Sequence, residues 1–282
     1  MQRSLCVYLF IFTLMGCSSK ALLPADVDTS ASLTPKTQTY QDLISLPEPR
    51  GRIIAAVYNF RDQTGQYKPI PSSSFSTAVS QGATSMLLNA MNDSGWFIPL
   101  EREGLQNILT ERKIIRAAQN KPNVPVNNQQ TLPSLLAANI LLEGGVVAYE
   151  SNVRTGGKGA RYFGIGLAEQ YRVDQVTVNL RAVDIRSGQI LHSVMTTKTI
   201  LSKEVQSSVF RFIEFKRLLE IEVGLTQNEP AQLCMFSAIE SALIYLITDG
   251  IKKKSWALKD AADINHPVIQ EHLLALQGQM KT

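Results

Sequence analysis

Apolar residues in the middle of the chain recur at two spacings, which predicts an α/β domain over residues 51–256. A nearly continuous apolar run at 53–60 favours a strand covered on both faces. Apolar residues then recur at helical spacing over 79–91, and shorter apolar segments at 96–100 and 140–149 favour further strands. The pattern therefore predicts a mixed sheet with helices packed on it.

Further helices follow from the same periodicity. A second amphipathic helix is predicted over 105–115 and a short helix near Leu135. A long core helix is predicted to begin with Asn228 as N-cap and Pro230 in its first turn, and to end at Gly250. Its apolar positions are Leu233, Phe236, Ile239, Leu243 and Leu246.

Two segments, at 151–174 and 202–225, alternate with period two instead. The apolar positions change parity at Gln175, which predicts a β-bulge there, and Ser187-Gly188 predicts a hairpin turn. Residues 210–212 place a charge between two large apolar side chains, a pattern typical of barrel strands with lipid on one face and water on the other. The same alternation also fits soluble hairpins with one face on the core, so the residues alone leave both interpretations open.

The N-terminus reads as a lipoprotein signal over residues 1–16. Arg3 precedes an apolar run at 5–13, and the junction Leu-Met-Gly ends in Cys17. We expect no metal or diffusible cofactor, but a diacylglycerol on the Cys17 sulfur and an acyl chain on its amino group. Ser18 in place of Asp favours sorting to the outer membrane. The run is too short for an uncleaved helical anchor, which needs about 20 residues.

The predicted organisation follows from these signals and from composition. Residues 18–50 are rich in Ser, Thr, Pro and Ala without a sustained period, so they are predicted to link the lipid to the folded part. Beyond Trp256 the sequence is polar and only weakly helical. The predicted parts are a signal peptide at 1–16, a lipidated linker at 17–50, the α/β domain at 51–256 with hairpins at about 151–174 and 202–225, and a C-terminal tail at 257–282.

Charge and candidate chemistry change this picture little. The net charge of +4 is scattered, so nucleic acid is not predicted as a partner. Cys234 lies in an apolar stretch and reads as a buried, inert thiol. With His266 and His272 in the tail, His192 is the single histidine of the domain, too few for a histidine-rich zinc site or a Ser/His/Asp triad. The glycine-rich segment 155–159 lacks phosphate-loop spacing. The sequence therefore predicts no enzyme.

Several segments together resemble the family of curli secretion channel lipoproteins. Besides the lipidation signal, the resemblance is carried by Tyr58-Asn59 and by residues 64–69, 96–102, 107–118, 160–166, 209–213 and 228–230. It runs over nearly the whole chain to about residue 256, and no match is recognised after about residue 260.

The resemblance implies a function. Members of this family are outer-membrane lipoproteins that form a nine-fold ring, with a periplasmic α/β domain and two barrel hairpins from each subunit. Four strands from each of nine subunits would make about 36, the size of the largest known barrel. The ring exports unfolded curli subunits, which form amyloid on the cell surface. Export is diffusive, since the periplasm has no ATP. A periplasmic specificity factor caps the entrance and a surface-exposed accessory factor sits at the exit.

The resemblance also implies a pore constriction built from the loop at 69–76. The family pattern has Tyr, Asn and Phe at the three positions occupied here by Ile70, Ser74 and Phe75. Only the phenylalanine is retained, so the width and wetting of the constriction should differ from the family pattern. Pro69 and Pro71 stiffen the loop at matching places.

A second function remains open at this point. A monomeric periplasmic assembly-factor lipoprotein, acting through protein–protein contacts, would carry the same lipid and a similar α/β domain. In that case the hairpins would pack on soluble partners. Heat-resistant oligomers in detergent would distinguish the pore from this alternative.

Overall fold

A computed structural model of the chain describes Leu33 and residues 36–67, 77–119, 132–156, 169–206, 209–213 and 230–279. The strands in this part are β1 (Ile53–Ala56), β2 (Phe60–Asp62), β3 (Phe97–Leu100), β4 (Ile140–Gly156), β5 (Glu169–Asp184), β6 (Ile190–Gln206) and β7 (Val209–Ile213). They form one sheet in the order β3-β1-β4-β5-β6-β7, and β2 pairs with β4 off this path. β1 is parallel to β3 and β4, whereas β4 to β7 pair antiparallel in sequence order. The predicted mixed sheet is confirmed.

Helices cover this sheet. They are α1 (Gln38–Ile44), α2 (Ala83–Asp93), α3 (Leu105–Gln119), α4 (Pro230–Lys252) and α5 (Pro267–Gln279), with a 3₁₀ turn at Ala261–Asn265. α4 packs along β5 and β6, and α1, α2 and α5 pack against α4. The predicted strand at 53–60 is divided into β1 and β2 by residues 57–59, so the chain turns where the sequence predicts a continuous strand.

α4 is the centre of the core because it is enclosed by other elements. Its buried residues lie around most of its circumference: Leu233, Cys234, Met235, Ala238, Ile239, Ala242, Leu243, Ile244, Leu246 and Ile247. The segment Gln232–Lys252 is long and apolar enough to cross a membrane, but 78% of its apolar window is buried inside the domain. A helix that is apolar all round is a core helix when the protein itself covers it.

The predicted end of this helix at Gly250 is wrong. α4 continues to Lys252 and ends in a Schellman motif, with Lys254 at φ 62°. Ser255 N–H donates to Gly250 O at 2.9 Å, and Lys254 N–H donates to Ile251 O at 3.1 Å. Gly250 has a packing role instead, because a Cβ there would lie 1.9 Å from the Trp256 ring. The predicted N-cap, Asn228, lies outside the described residues.

β5 alternates regularly, so the bulge predicted at Gln175 is wrong. Over residues 173–184, where the burial of β5 is described, the buried positions all lie on one face: Asp174, Val176, Val178, Leu180 and Ala182. The register shift lies on β4 instead, between Val146 and Ala148. The sequence pattern changes parity because Asp174 is a polar residue on a buried face. The predicted turn at Ser187-Gly188 is confirmed, with Gly188 at φ 70° between β5 and β6.

The folded part begins at Lys36 rather than at Gly51. Composition assigns residues 36–50 to the linker, but they contain α1. The Leu43 side chain of this helix is fully buried. The Thr37 hydroxyl caps this helix by accepting a hydrogen bond from Tyr40 N–H at 3.0 Å. This helix has only seven residues and few apolar positions, so its helical periodicity could not be detected in a segment rich in Ser, Thr and Pro.

Two smaller expectations also differ from the structure. The tail is not weakly helical throughout: α5 has 13 residues and buries Ile269 against the core. The His272 and Tyr245 rings meet at a centroid distance of 4.6 Å, which secures α5 to α4. The short helix predicted near Leu135 is absent, and residues 132–138 have no regular structure. Leu135 and Leu136 are instead 40% and 56% exposed.

Candidate functional site

The loop predicted to form the constriction is held together at its base. Tyr67 and Thr77 form an antiparallel bridge, and Ala78 N–H donates to Gln66 O at 2.8 Å. The chain therefore leaves and returns at one place, with nine residues, 68–76, between the two bridged positions. The predicted site residues Pro69, Ile70, Pro71, Ser74 and Phe75, and the lipidation residue Cys17, lie outside the described residues.

Asp62, the last residue of β2, connects both sides of this loop base. Its Oδ1 accepts hydrogen bonds from Thr64 N–H at 2.9 Å and from Thr64 Oγ1 at 2.7 Å. Its Oδ2 accepts from Gln81 Nε2 at 3.4 Å, just before α2 begins. One carboxylate at the end of β2 thus fixes the segments before and after residues 68–76 relative to the sheet.

β4, β5 and β6 are much longer than the strands of ordinary sheets. They have 17, 16 and 17 residues, which at a rise of about 3.3 Å corresponds to roughly 50 Å. Cys234, in the first turns of α4, lies against the backbone of Asp174 on β5 and of Lys198 on β6. Backbone pairing continues past this level, to Gly156 with Glu169 in one hairpin and to Gln206 with Val209 in the other. Each pair of strands therefore projects beyond the part of the sheet that α4 packs on.

A group of hydrogen bonds connects β4, β5 and β6 with one another and with the start of α4. The Tyr149 hydroxyl donates to Asp174 Oδ1 at 2.9 Å. Cys234 Sγ, in the first turns of α4, donates to the backbone oxygens of Lys198 at 3.0 Å and Asp174 at 3.5 Å. Burial raises the pKa of the Cys234 thiol to about 12. The thiol is thus protonated and joins α4 to β5 and β6, and the predicted buried, inert cysteine is confirmed.

The start of the folded part is attached to α4 through a buried carboxyl group. Thr37 Oγ1 donates to Glu240 Oε2 at 2.5 Å, and Thr39 Oγ1 and Ser237 Oγ lie 3.0 Å apart. Burial raises the pKa of Glu240 to about 7, although the hydrogen bond from Thr37 and the charge of Lys36 oppose this shift. The residues that follow the predicted linker are therefore bound to the central helix.

α3 has no fully buried residue within the described part of the chain, although Leu105, Ile108 and Leu109 are half-buried. None of its residues is buried, and Ile114 and Ile115 are 53% and 38% exposed. Arg112 Nη2 donates to Pro133 O, which ties the helix to the segment before β4. This helix presents apolar side chains that the described residues of its own domain do not cover.

Sequence reasoning missed one polar cluster at the end of α4. His192 Nδ1 lies 2.7 Å from Asp249 Oδ2, and His192 Nε2 lies 2.8 Å from Ser255 Oγ. A single histidine is all that a Ser/His/Asp arrangement needs, so excluding it by counting histidines was wrong. No spacing signal could have revealed the cluster, because the residues are 57 and 63 positions apart in the chain. No group of three or more potential metal ligands occurs among the residues that the structure describes.

These features define a class of protein: a mixed α/β domain with a ladder of long antiparallel strands, β4 to β7, and with a strand bridge between Tyr67 and Thr77 after β2. The chain belongs to the family described as curli production assembly/transport component CsgG, whose sequence profile matches residues 36–273. The match extends past residue 260, so the expectation that the resemblance stops there is wrong. The family is named for assembly and transport rather than for an enzyme activity.

Relatives of the same name match over almost the whole chain. The curli production assembly/transport component CsgG of Salmonella typhimurium strain LT2 is 53% identical over 268 residues, covering 95% of this chain and 96% of the relative. That of Escherichia coli strain K12 is 53% identical over 272 residues, covering 96% and 97%. Among solved structures, the match to a PelC dodecamer from Paraburkholderia phytofirmans covers 71% of this chain and 91% of that chain, at 14% identity and a TM-score of 0.28.

Proposed function

We propose that this protein is an oligomeric outer-membrane pore that exports unfolded curli subunits from the periplasm to the cell surface. The observation that carries the proposal is the continuation of the β4–β5 and β6–β7 ladders past the start of α4. A membrane-spanning strand needs about 9–11 residues, and the segments at 151–174 and 202–225 have room for one hairpin each. The family membership supplies the substrate, because the relatives are named for curli production and transport.

Strand edges are the reason to propose an oligomer. Among the described strands, β7 pairs only with β6, and β4 beyond Val146 pairs only with β5. One subunit therefore contributes a four-stranded segment with two open edges. Open edges are not tolerated in lipid, since each unpaired backbone group costs several kcal/mol. Pairing β7 of one subunit with β4 of the next closes the sheet, and the resemblance gives a ring of nine.

Two further features support assembly and transport. The exposed apolar side chains of α3 offer a surface for a neighbouring subunit outside the membrane. The loop at 68–76, closed at its base by Tyr67 and Thr77, would extend into the channel as a constriction. Passage is by diffusion without ATP. The periplasmic specificity factor and the surface-exposed accessory factor implied by the resemblance are proposed as partners at the entrance and the exit.

The full-length lipidated protein, extracted in detergent, tests this function. We expect a heat-resistant oligomer on gels, a ring in electron micrographs and stable ion conductance in planar bilayers. A monomer without conductance, which becomes fully soluble when Cys17 is replaced, would contradict the pore. That result would instead favour the periplasmic assembly factor.

Replacing Phe75 with Ala should raise the conductance of the assembled ring. Phe75 is the family aromatic retained in the loop, and a ring of its side chains would narrow the passage. Single-channel recording of purified oligomers measures the change, with Ser76→Ala in the same loop as a control of unchanged conductance. If Phe75 instead anchored the loop to the core, truncation would cost about 3–5 kcal/mol per subunit and reduce assembly. Normal assembly with unchanged conductance would exclude Phe75 from the constriction.

Replacing Cys17 with Ala should prevent delivery to the outer membrane. The change removes the sulfur that accepts diacylglycerol, and lipoprotein cleavage requires that modification. Fractionation by sucrose gradient, followed by detection of the oligomer, measures the result. Ser18→Ala keeps the cysteine and should leave delivery intact. Equal amounts of outer-membrane oligomer from wild type and Cys17→Ala would show that lipidation is not required.

A further inference from the structure

The polar cluster at the C-terminal end of α4 has the geometry of an activated serine. His192 comes from β6, Asp249 from the last turn of α4, and Ser255 from the segment just after that helix. The carboxylate Oδ2 and His192 Nδ1 are 2.7 Å apart, and His192 Nε2 and the serine Oγ are 2.8 Å apart. The imidazole thus connects a carboxylate on one side to a hydroxyl on the other, which is the arrangement of a nucleophile, its base and the group that orients the base.

The carboxylate sets the tautomer of the histidine. Burial raises the pKa of Asp249, but hydrogen bonds from Lys253 and His192 outweigh it and keep this pKa below its ordinary value. Lys253 Nζ lies 2.7 Å from the same Oδ2 that faces the histidine. An ionised carboxylate can only accept hydrogen bonds, so the Nδ1 of His192 carries a proton. In the neutral ring, Nε2 is then free to accept the serine proton.

The base is shielded from water whereas the serine is accessible. The His192 side chain is fully buried, and its ring lies against the Trp256 indole at a centroid distance of 4.8 Å. The indole is itself fixed, because its Nε1 donates to Ile247 O at 2.7 Å. Ser255 is exposed. A reactant can therefore approach the hydroxyl without displacing the packing that positions the imidazole.

Ser255 opens into a cavity that suits a small anionic reactant. The cavity has a volume of about 430 Å³ and is lined by Arg50, Arg52, Leu191 and Trp256 among others. This volume lies in the range of small-molecule sites. Two arginines among the lining residues give the cavity a positive charge, which favours a carboxylate on the reactant.

We propose that Ser255 is a nucleophile for small carboxylate-bearing acyl esters, activated by His192 and oriented through Asp249. The serine Oγ forms a bond to the ester carbonyl carbon while its proton passes to His192 Nε2. The C–O bond to the alcohol then breaks, and His192 returns the proton to the leaving alcohol. Water attacks the acyl-serine, giving its proton to His192, and the free acid leaves as the serine is restored. Arg50 and Arg52 hold the carboxylate of the ester.

The first experiment is labelling of the full-length lipidated oligomer in detergent with a fluorescent fluorophosphonate. We expect one adduct, which peptide mass spectrometry locates on Ser255. Labelling should be lost in Ser255→Ala and strongly reduced in His192→Gln. Ser193→Ala, an exposed serine next to the histidine on β6, should label like wild type. Absence of an Ser255 adduct, or equal labelling of wild type and His192→Gln, would show that the cluster is only a structural connection between β6 and α4.

The second experiment follows hydrolysis of 4-nitrophenyl hydrogen succinate, with 4-nitrophenyl acetate as the uncharged comparison. We expect the anionic ester to have the higher kcat/KM. Arg52→Gln should raise KM for this ester and leave the acetate unaffected. Asp249→Asn should lower kcat by about 10⁴-fold with KM unchanged, since it disturbs the tautomer rather than binding. Hydrolysis that persists in Ser255→Ala at the wild-type rate would overturn the proposal. Conductance of the Ser255→Ala ring, measured in parallel, reports on the pore separately.

Discussion

Replacing Gly250 with Ala should destabilise the domain by about 3 kcal/mol, a cost similar to losing the packing of a large aromatic side chain. The new Cβ would lie 1.9 Å from Trp256 Cε2 and 2.0 Å from Cζ2, so the indole must leave its place. Its hydrogen bond to Ile247 O and its contact with His192 would be lost at the same time. Thermal unfolding of the detergent-solubilised protein, followed by circular dichroism, measures the change.

Gly278→Ala is the matched control, because this glycine lies in α5 with no atom within 4 Å of an added Cβ. There the substitution should stabilise the helix by about 0.5–1 kcal/mol, since alanine loses less backbone entropy than glycine. The same chemical change is thus expected to act with opposite sign at two helical positions. Similar small effects at both positions would mean that Trp256 does not pack against Gly250 as described.

Replacing Glu240 with Gln should stabilise the protein above neutral pH and have little effect in acid. The pKa of this carboxyl group is raised from 4.5 to about 7 in the folded protein, mainly by burial. An acid whose folded pKa is raised favours folding in its protonated form. Its ionisation therefore costs stability progressively as the pH rises from 4.5 to about 7, and the cost is complete above that range. Glutamine removes this cost, which is roughly 3 kcal/mol, and can still accept the hydrogen bond of Thr37.

Denaturant unfolding of wild type and Glu240→Gln at pH 4 and pH 8 measures this difference. Glu111→Gln, on the exposed surface of α3, should change stability by less than about 0.5 kcal/mol at both values. Loss of stability in Glu240→Gln at pH 8 would show that the ionised carboxylate stabilises the fold, for example through Lys36 or Lys198. A gain of the same size at pH 4 would show that titration of Glu240 is not the cause.

Periodicity predicted the elements in which burial follows hydrophobicity. Three elements were predicted because their apolar side chains are buried by the rest of the domain. They are the long core helix, the helix after Val79 and the alternating strand β5. Prediction failed where a polar residue takes a buried place. Asp174 lies in line with Val176 and accepts a hydrogen bond from Tyr149, so the side chain is buried although its polarity indicates the opposite face.

The predicted limits of the helices were wrong for a different reason. α1 depends on the cap by Thr37 and on contacts with α4. α5 depends on the burial of Ile269 and on the edge-to-face contact of His272 with Tyr245. These contacts are tertiary, and the local sequence of a short helix contains little of that information. The end of α4 likewise could not be placed at Lys252, because a glycine inside a helix is a stop signal unless another side chain occupies the space beside it.

The candidate pore residues came from a resemblance to a family rather than from pattern. Nothing in the spacing of Ile70, Ser74 and Phe75 indicates a constriction, so these assignments stay predictions. The pairing at the base of this segment could not be predicted from the sequence pattern, because the bridge joins Tyr67 and Thr77, which lie on either side of the segment. The cluster around His192 could not be predicted either, because it requires the packing of β6 against the end of α4.

The unbroken length of β5 has a mechanical consequence. A single ladder of hydrogen bonds runs from Glu169 to Asp184, through Asp174, which lies against the first turns of α4. A hinge at that level would have to break backbone hydrogen bonds on both sides of β5. The strands beyond Asp174 and the α/β domain therefore move as one rigid body. The tilt of the strands in a membrane would then determine the orientation of each α/β domain. A rotation of the domain would likewise rotate the strands, without a separate element to couple them.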